Sequence, residues 1–163
     1  MGRVARVDGE ILEAVAAEAP AMTELLAELV AARTLLGDEA AGQAVMRRAF
    51  ADMGLEPFEV PLDVAALERH PAGAPFGWDV EGKANVLADW NPAAAADGRS
   101  LILNGHIDIV SPEPSSLWSS DPYGARVAGE WMYGRGAGDM KSGLVAMIGA
   151  CLLYTSPSPR DRS

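Results

Sequence analysis

A chain of 163 residues with 49% hydrophobic content has the size of one ordinary domain and enough apolar side chains for a core. Its 13 basic and 23 acidic residues give a formal net charge of −10, which argues against a nucleic-acid-binding surface, since phosphates require basic partners. We find no secretory signal and no apolar stretch of membrane-spanning length. The single cysteine, Cys151, excludes an internal disulfide framework and is compatible with a cytoplasmic protein.

Apolar residues at helical spacing dominate the first third of the chain. Residues 9–32 have this pattern, and Pro20 predicts either a kink or the start of a second helix there. Residues 38–53 predict another helix. Two prolines within residues 55–62 predict a short or edge strand, and residues 63–68 predict a short helix capped by its first residue.

The middle of the chain predicts strands separated by turns. Residues 84–90 predict a strand, residues 91–99 a turn, and residues 101–103 a second strand that pairs with the first as a hairpin. Residues 130–133 predict a further short strand before a glycine-rich turn. A helix is then predicted to begin near Met140.

Two polar clusters lie next to these apolar segments. His106 and Asp108 are separated by one residue, so both side chains point to the same side of an extended chain. An imidazole that ligates a metal usually donates its other ring N–H to a carboxylate or carbonyl. Asp139, in the glycine-rich turn, supplies a second carboxylate that binds one metal or bridges two. These three groups favour zinc, with cobalt or manganese as alternatives, and they do not complete a site.

Each of these patterns also has a purely structural interpretation. A lone His-x-Asp on a strand end is more often a hydrogen-bonded pair, and a glycine-rich run is often only a tight turn. A phosphate-binding loop is disfavoured because it requires glycine directly before Lys-Ser, whereas Met140 precedes Lys141. Arg135 and Lys141 have the simple alternative of pairing with nearby carboxylates or carbonyls. The combination of His106 with both carboxylates favours the metal site.

A longer pattern surrounds these residues: Gly-His-x-Asp, a loop carrying Trp and Asp-Pro, then Gly-Arg-Gly-x-x-Asp-x-Lys-x-Gly. It is formed by Gly105, His106, Asp108, Trp118, Asp121, Pro122, Gly134, Arg135, Gly136, Asp139, Lys141 and Gly143. In this pattern the chain resembles the zinc aminoacylase and carboxypeptidase family, peptidase family M20, which includes acetylornithine deacetylase and succinyl-diaminopimelate desuccinylase. The resemblance extends over roughly residues 12–150.

The resemblance implies an α/β fold, with a mixed sheet flanked by helices, that forms the N-terminal part of a zinc-peptidase-like catalytic domain. It implies two Zn²⁺ ions per complete site, with Co²⁺ as an alternative. His106 would bind one ion, Asp139 would bridge both, and Asp108 would be the catalytic carboxylate that supports His106. In such enzymes a metal-bridging hydroxide attacks an amide carbonyl and a glutamate acts as general base. The resemblance also implies a cis peptide bond at Asp139-Met140 and a homodimeric parent protein.

The end of the chain differs in character from the rest. Residues 152–163 include two prolines and lack an apolar face, so we expect a non-native or disordered tail after a catalytic-domain segment formed by residues 1–151. The resemblance places the general base and the remaining metal ligands beyond this end. We therefore expect the 163-residue chain to be inactive by itself.

The function that we expect for the parent protein is metal-dependent hydrolysis of the amide bond of an N-acyl amino acid, with acetylornithine as the leading substrate. The alternatives within the family are a metallo-carboxypeptidase or dipeptidase and a succinyl-diaminopimelate desuccinylase. The partners are then an N-acyl amino acid or short peptide, and neither nucleic acid nor membrane. A non-catalytic binding module is the alternative from another class, and a phosphate-binding α/β domain is a poorer one.

Overall fold

The computed structural model describes residues 2–73, 75, 77–90 and 99–155. The helices within these residues are α1 (Gly2–Ala31), α2 (Ala40–Asp52), α3 (Val64–Arg69) and α4 (Ser142–Thr155). The strands are β1 (Phe58–Pro61), β2 (Ala84–Leu87), β3 (Arg126–Ala128) and β4 (Trp131–Tyr133). A short 3₁₀ helix, Ser115–Leu117, and an irregular helical turn, Ala137–Lys141, complete the regular elements. Helices combined with small sheets confirm the predicted α/β class as part of such a domain.

The chain divides into two compact units. The first comprises the described residues of Met1–Ala32, Leu103–His106 and Pro112–Ser163. The second comprises those of Arg33–Ile102 and Ile107–Ser111.

In the first unit, α1 packs against α4. The buried apolar side chains here are Leu29, Val30, Ala137, Leu144, Val145 and Ile148. Strands β3 and β4 form an antiparallel pair in which Arg126 lies opposite Tyr133. Helix α1 continues through Pro20, so the expectation of a second helix starting there is wrong. Proline cannot donate one main-chain hydrogen bond of the helix, but packing of the apolar face in the last turns of α1 keeps the chain helical.

In the second unit, α2 lies beside an antiparallel pair formed by β1 and β2, in which Phe58 is opposite Leu87. Helix α3 begins as predicted, because the Asp63 carboxylate accepts a hydrogen bond of 2.9 Å from the Ala66 N–H. An isolated parallel bridge joins Leu35 to Ile109. The predicted helix over residues 38–53 and the short strand within residues 55–62 are therefore confirmed.

The predicted hairpin between residues 84–90 and 101–103 is wrong. Strand β2 pairs with β1 instead, and residues 101–103 belong to no strand. Leu101 and Ile102 are 80% and 87% exposed, so this apolar segment has no sheet neighbour within the described residues. The hairpin was predicted because the two segments are close in sequence. A strand can, however, pair with a segment that lies further away along the chain.

Helix α4 extends through Thr155, which is five residues beyond the apolar segment predicted as helical. Residues 156–163 lie outside the described part of the chain, and the tail expected over residues 152–163 stays a prediction. Within the described residues, no helix combines the length and the apolar character needed to cross a membrane.

Candidate metal centre

His106 ends a short segment of the first unit that runs close to the start of α4. A Cβ atom on the preceding residue, Gly105, would lie 2.8 Å from Leu144 Cδ2 and 2.8 Å from Met140 Cε. A side chain at this position would require the ends of Leu144 and Met140 to move aside, so glycine favours the close approach. The glycine thus lets the segment that carries His106 lie close to the start of α4.

Asp139 lies on the irregular turn Ala137–Lys141, which leads into α4. The main chain at Asp139 is extended, with φ −130° and ψ 103°, so this residue interrupts the helical path. The N–H of Lys141 closes the turn by donating a 3.0 Å hydrogen bond to the carbonyl of Gly136. The peptide bond between Asp139 and Met140 is cis, which confirms the expectation drawn from the family resemblance.

The structure brings His106 and Asp139 together across 33 positions of sequence. His106 Nε2 lies 3.1 Å from Asp139 Oδ1, and the two side chains are 46% and 92% exposed. Two ligands on one tetrahedral zinc ion, at metal distances of about 2.0–2.1 Å, lie about 3.3 Å apart. An imidazole nitrogen and a carboxylate oxygen are also donors that zinc accepts. The pair thus fits two positions of a metal site open to solvent.

Asp108 belongs to the second unit, where the main chain on both of its sides is bound to Thr34. The hydroxyl of Thr34 donates a 2.5 Å hydrogen bond to the carbonyl of Ile107, and the carbonyl of Thr34 accepts one of 2.8 Å from the N–H of Ile109. Thr34, Ile107 and Ile109 are all buried. These contacts fix the backbone that carries Asp108. Its pairing with His106 stays a prediction from the spacing of the two residues.

No further ligand joins the pair within the part of the chain that the structure describes. Among those residues, no group of three or more His, Cys, Asp or Glu side chains is arranged to hold a metal ion. His106 and Asp139 are therefore the two predicted ligands that the structure brings together.

Lys141 is the functional candidate whose environment the sequence did not reveal. Its side chain is fully buried, and its Nζ donates a 2.5 Å hydrogen bond to the carbonyl of Leu29 in α1. Burial lowers the pKa of Lys141 to about 8. The sequence suggested only a local partner for this lysine. A contact with a main-chain carbonyl 112 positions away leaves no sequence signal, because every residue carries such a carbonyl.

Trp118 anchors the loop that precedes β3. Its indole Nε1 donates a 2.9 Å hydrogen bond to the carbonyl of Pro112, and the guanidinium of Arg135 lies 5.0 Å from the ring centroid. Among the described residues, Arg135 Nε is the buried side-chain polar atom without a hydrogen-bond partner. These contacts make Trp118 an anchor of the loop.

Residues 102–161 match the sequence profile of peptidase family M20/M25/M40. A succinyl-diaminopimelate desuccinylase of Dinoroseobacter shibae is 43% identical over 83 residues, which cover 51% of this chain and 21% of that protein. The enzyme of the same name from Cereibacter sphaeroides is 36% identical over 117 residues, or 68% of this chain and 30% of the relative. That from Leptothrix cholodnii is 32% identical over 140 residues, or 85% and 32% respectively.

The chain thus spans about a fifth to a third of the length of these curated relatives. The residues matched by the family profile include His106, Asp108 and Asp139. On these comparisons, together with the motif and the pair that it forms, the chain belongs to peptidase family M20/M25/M40.

Proposed function

We propose that the protein containing this chain is a metal-dependent hydrolase that cleaves the amide bond of an N-acyl amino acid. The observation that carries the proposal is the 3.1 Å approach of His106 Nε2 to Asp139 Oδ1. An exposed imidazole and an exposed carboxylate held this closely are suited to sharing a cation. Both residues lie in the segment that matches the family profile.

The chain's own residues would have separate tasks. His106 would supply a neutral nitrogen ligand, and Asp139 a carboxylate ligand with enough exposed surface to bridge two ions. Asp108 would orient the His106 ring through its other nitrogen, as second carboxylates commonly do at metal sites. When bound, zinc or cobalt supplies Lewis-acid activation of the amide carbonyl and of water.

For the substrate, the relatives favour a succinylated amino acid over acetylornithine. The three compared above, at 32–43% identity, are each named succinyl-diaminopimelate desuccinylase. We therefore place N-succinyl-diaminopimelate first, acetylornithine second, and a C-terminal peptide bond third. Since one pocket group changes selectivity between similar substrates by only about 1–3 kcal/mol, this ranking needs a direct assay.

The 163 residues alone are proposed to lack hydrolytic activity. They contain no adjacent Glu-Glu pair, which the family resemblance implies as the source of the general base and of one metal ligand. Two ligands, His106 and Asp139, would bind a metal ion weakly. A homodimeric state and a cytoplasmic location of the complete protein also stay predictions, the latter supported by the single cysteine.

The test compares the 163-residue chain with the complete reading frame of its locus, each assayed with N-succinyl-diaminopimelate, acetylornithine and a dipeptide. We expect activity in the complete protein that a chelator abolishes, that Zn²⁺ or Co²⁺ restores, and that His106→Ala removes. Activity that survives the chelator would refute the metal-dependent mechanism. A complete, folded protein that binds Zn²⁺ but hydrolyses none of the three substrates would favour a non-catalytic binding module.

A further inference from the structure

Lys141 is a charged side chain in an unusual position. It is 0% exposed, and its ammonium group donates to the carbonyl of Leu29, which lies in the last turn of α1. The last carbonyls of an α-helix are short of main-chain donors, and this one, which accepts a 3.3 Å bond from the Ala32 N–H, has a second lone pair for the lysine. A cation is also favourable at a helix C-terminus.

The turn that carries Asp139 lies against the same end of α1. A Cβ atom on Gly134 would lie 2.6 Å from Val30 Cγ1, so the main chain of the turn approaches α1 as closely as glycine allows. Lys141 then holds the end of the turn twice, through its main-chain bond to Gly136 and its side-chain bond to α1. Asp139 itself is 92% exposed, so packing of its own side chain does little to fix its position.

We propose that Lys141 is a positioning residue for the metal ligand Asp139: by binding the Leu29 carbonyl, it holds the turn against α1 so that Asp139 Oδ1 stays within reach of His106 Nε2. This inference rests on the proposed metal-dependent function and extends it to a residue that does not itself bind the metal. All four residues belong to the first unit.

The burial of a charge at this point supports a positional role. Removing an ammonium group from water costs free energy, and an apolar side chain of similar length would fill the same space without that cost. An apolar side chain would, however, leave the Leu29 carbonyl with only the 3.3 Å bond from the Ala32 N–H and would bind the turn to α1 only through non-directional contacts. A hydrogen bond fixes both distance and direction, which a ligand spacing of 3.1 Å requires.

The test is a Zn²⁺ titration of the 163-residue chain followed by the ring resonances of its two histidines, His106 and His70, with His70 as the internal reference. The variants are Lys141→Met and, as a matched buried control further along α4, Ile148→Ala. We expect Lys141→Met to raise the apparent Kd for Zn²⁺ at His106 by about tenfold or more, as the loss of groups that orient metal ligands commonly does. Ile148→Ala should leave this Kd unchanged although it lowers thermal stability.

The outcomes separate the two proposals. An unchanged Kd in folded Lys141→Met would overturn the positioning role and leave the metal centre intact. Absence of any selective Zn²⁺ response at His106 in the unsubstituted chain would overturn this inference, whereas chelation and metal restoration in the complete protein test the metal centre separately. If Lys141→Met does not fold, Lys141→Arg, which retains a donor, should keep the Zn²⁺ affinity; a weakened affinity in that variant, or its failure to fold, would overturn the proposal.

Discussion

The hydroxyl of Thr34 donates a hydrogen bond of 2.5 Å to the carbonyl of Ile107, 73 positions later in the chain. The carbonyl of Thr34 accepts a second bond, from the Ile109 N–H. Thr34, which is buried, thus holds the backbone on both sides of Asp108. The proposed role of Asp108 in orienting His106 requires such a support, because small displacements of a ligand weaken metal binding. The support comes from a threonine outside the sequence motif.

Replacement of Thr34 by valine is expected to lower the free energy of unfolding by about 1–3 kcal/mol. Valine keeps the shape of threonine but removes the donor, so the buried carbonyl of Ile107 loses a partner. Urea unfolding measures the effect. Thr34→Ser is the control, since it keeps the hydroxyl and should lose only about 1 kcal/mol for the missing methyl group. A larger loss in Thr34→Ser than in Thr34→Val would show that methyl packing, rather than the hydrogen bond, dominates here.

Gly42, near the start of α2, packs against the same contact. A Cβ atom there would lie 2.5 Å from Thr34 Cγ2 and 2.8 Å from Ile107 Cδ1. Alanine is intrinsically better than glycine in a helix by about 1 kcal/mol, but forcing a methyl group into a packed site costs about 1–3 kcal/mol. Because the Thr34 hydroxyl is held by its hydrogen bond, its methyl group cannot turn away. We therefore expect Gly42→Ala to lower the melting temperature.

The matched control for Gly42→Ala is Gly9→Ala in α1, where a Cβ atom would meet nothing within 4 Å. Only the helix propensity changes there, so the substitution should stabilise the chain by about 0.5–1 kcal/mol. Thermal unfolding of the two variants in parallel gives the comparison. An equal rise in melting temperature for both would contradict the close packing around Gly42.

Local signals explain which elements of the fold were predictable. Helix α3 could be located because Asp63 caps it, and the end of α2 because Gly54 follows its C-cap residue, Met53. The pairing of β1 with β2 was missed because it depends on hydrogen bonds between segments separated by α3 and a long loop. The sequence pattern of each strand gives its faces but not its neighbour.

The candidate site, like the fold, could be predicted from the sequence only in part. His106 and Asp139 were identified from their motif, and the structure brings their polar atoms to 3.1 Å. The contacts of Thr34 and Lys141 left no such signal, because both side chains donate to main-chain carbonyls that are distant in sequence. Such contacts depend on the folded arrangement and are not encoded by a pair of complementary side chains.

Glu39 and Lys83 form an ion pair that should make stability depend on acid pH. Lys83 Nζ lies 2.7 Å from Glu39 Oε2 and also donates to the Gly37 carbonyl, while the N–H of Gly37 donates to Glu39 Oε1 over 2.6 Å. Burial by itself would raise the pKa of Glu39, but the hydrogen bonds from Lys83 and Gly37 outweigh it and lower that pKa below its ordinary value of 4.5.

A lowered carboxylate pKa stabilises the folded state above the unfolded-state pKa, and this contribution is lost as the pH falls through the folded-state pKa. We expect the difference in free energy of unfolding between the unsubstituted chain and Glu39→Gln to be constant above about pH 4.5 and to shrink below it. Denaturant unfolding at a series of pH values measures this. Lys83→Met should remove most of the same pH dependence, and identical acid profiles for Glu39→Gln and the unsubstituted chain would refute the assignment.

Arg135 and Trp118 are expected to be coupled more strongly than Arg126 and Tyr133. The guanidinium of Arg135 lies over a half-buried indole and has a buried Nε, whereas Arg126 lies 4.4 Å from the centroid of an exposed tyrosine ring. Cation–π attraction amounts to about 0.5–1 kcal/mol at exposed sites and about 2 kcal/mol where water is excluded.

Double-mutant cycles with Arg→Met and aromatic→Leu substitutions at each pair measure the two coupling energies. The cycle cancels the separate loss of the Trp118 hydrogen bond to Pro112, since that loss occurs with or without Arg135. Equal coupling in the two pairs would mean that water reaches the Arg135 guanidinium, and that the loop before β3 is held chiefly by the indole hydrogen bond.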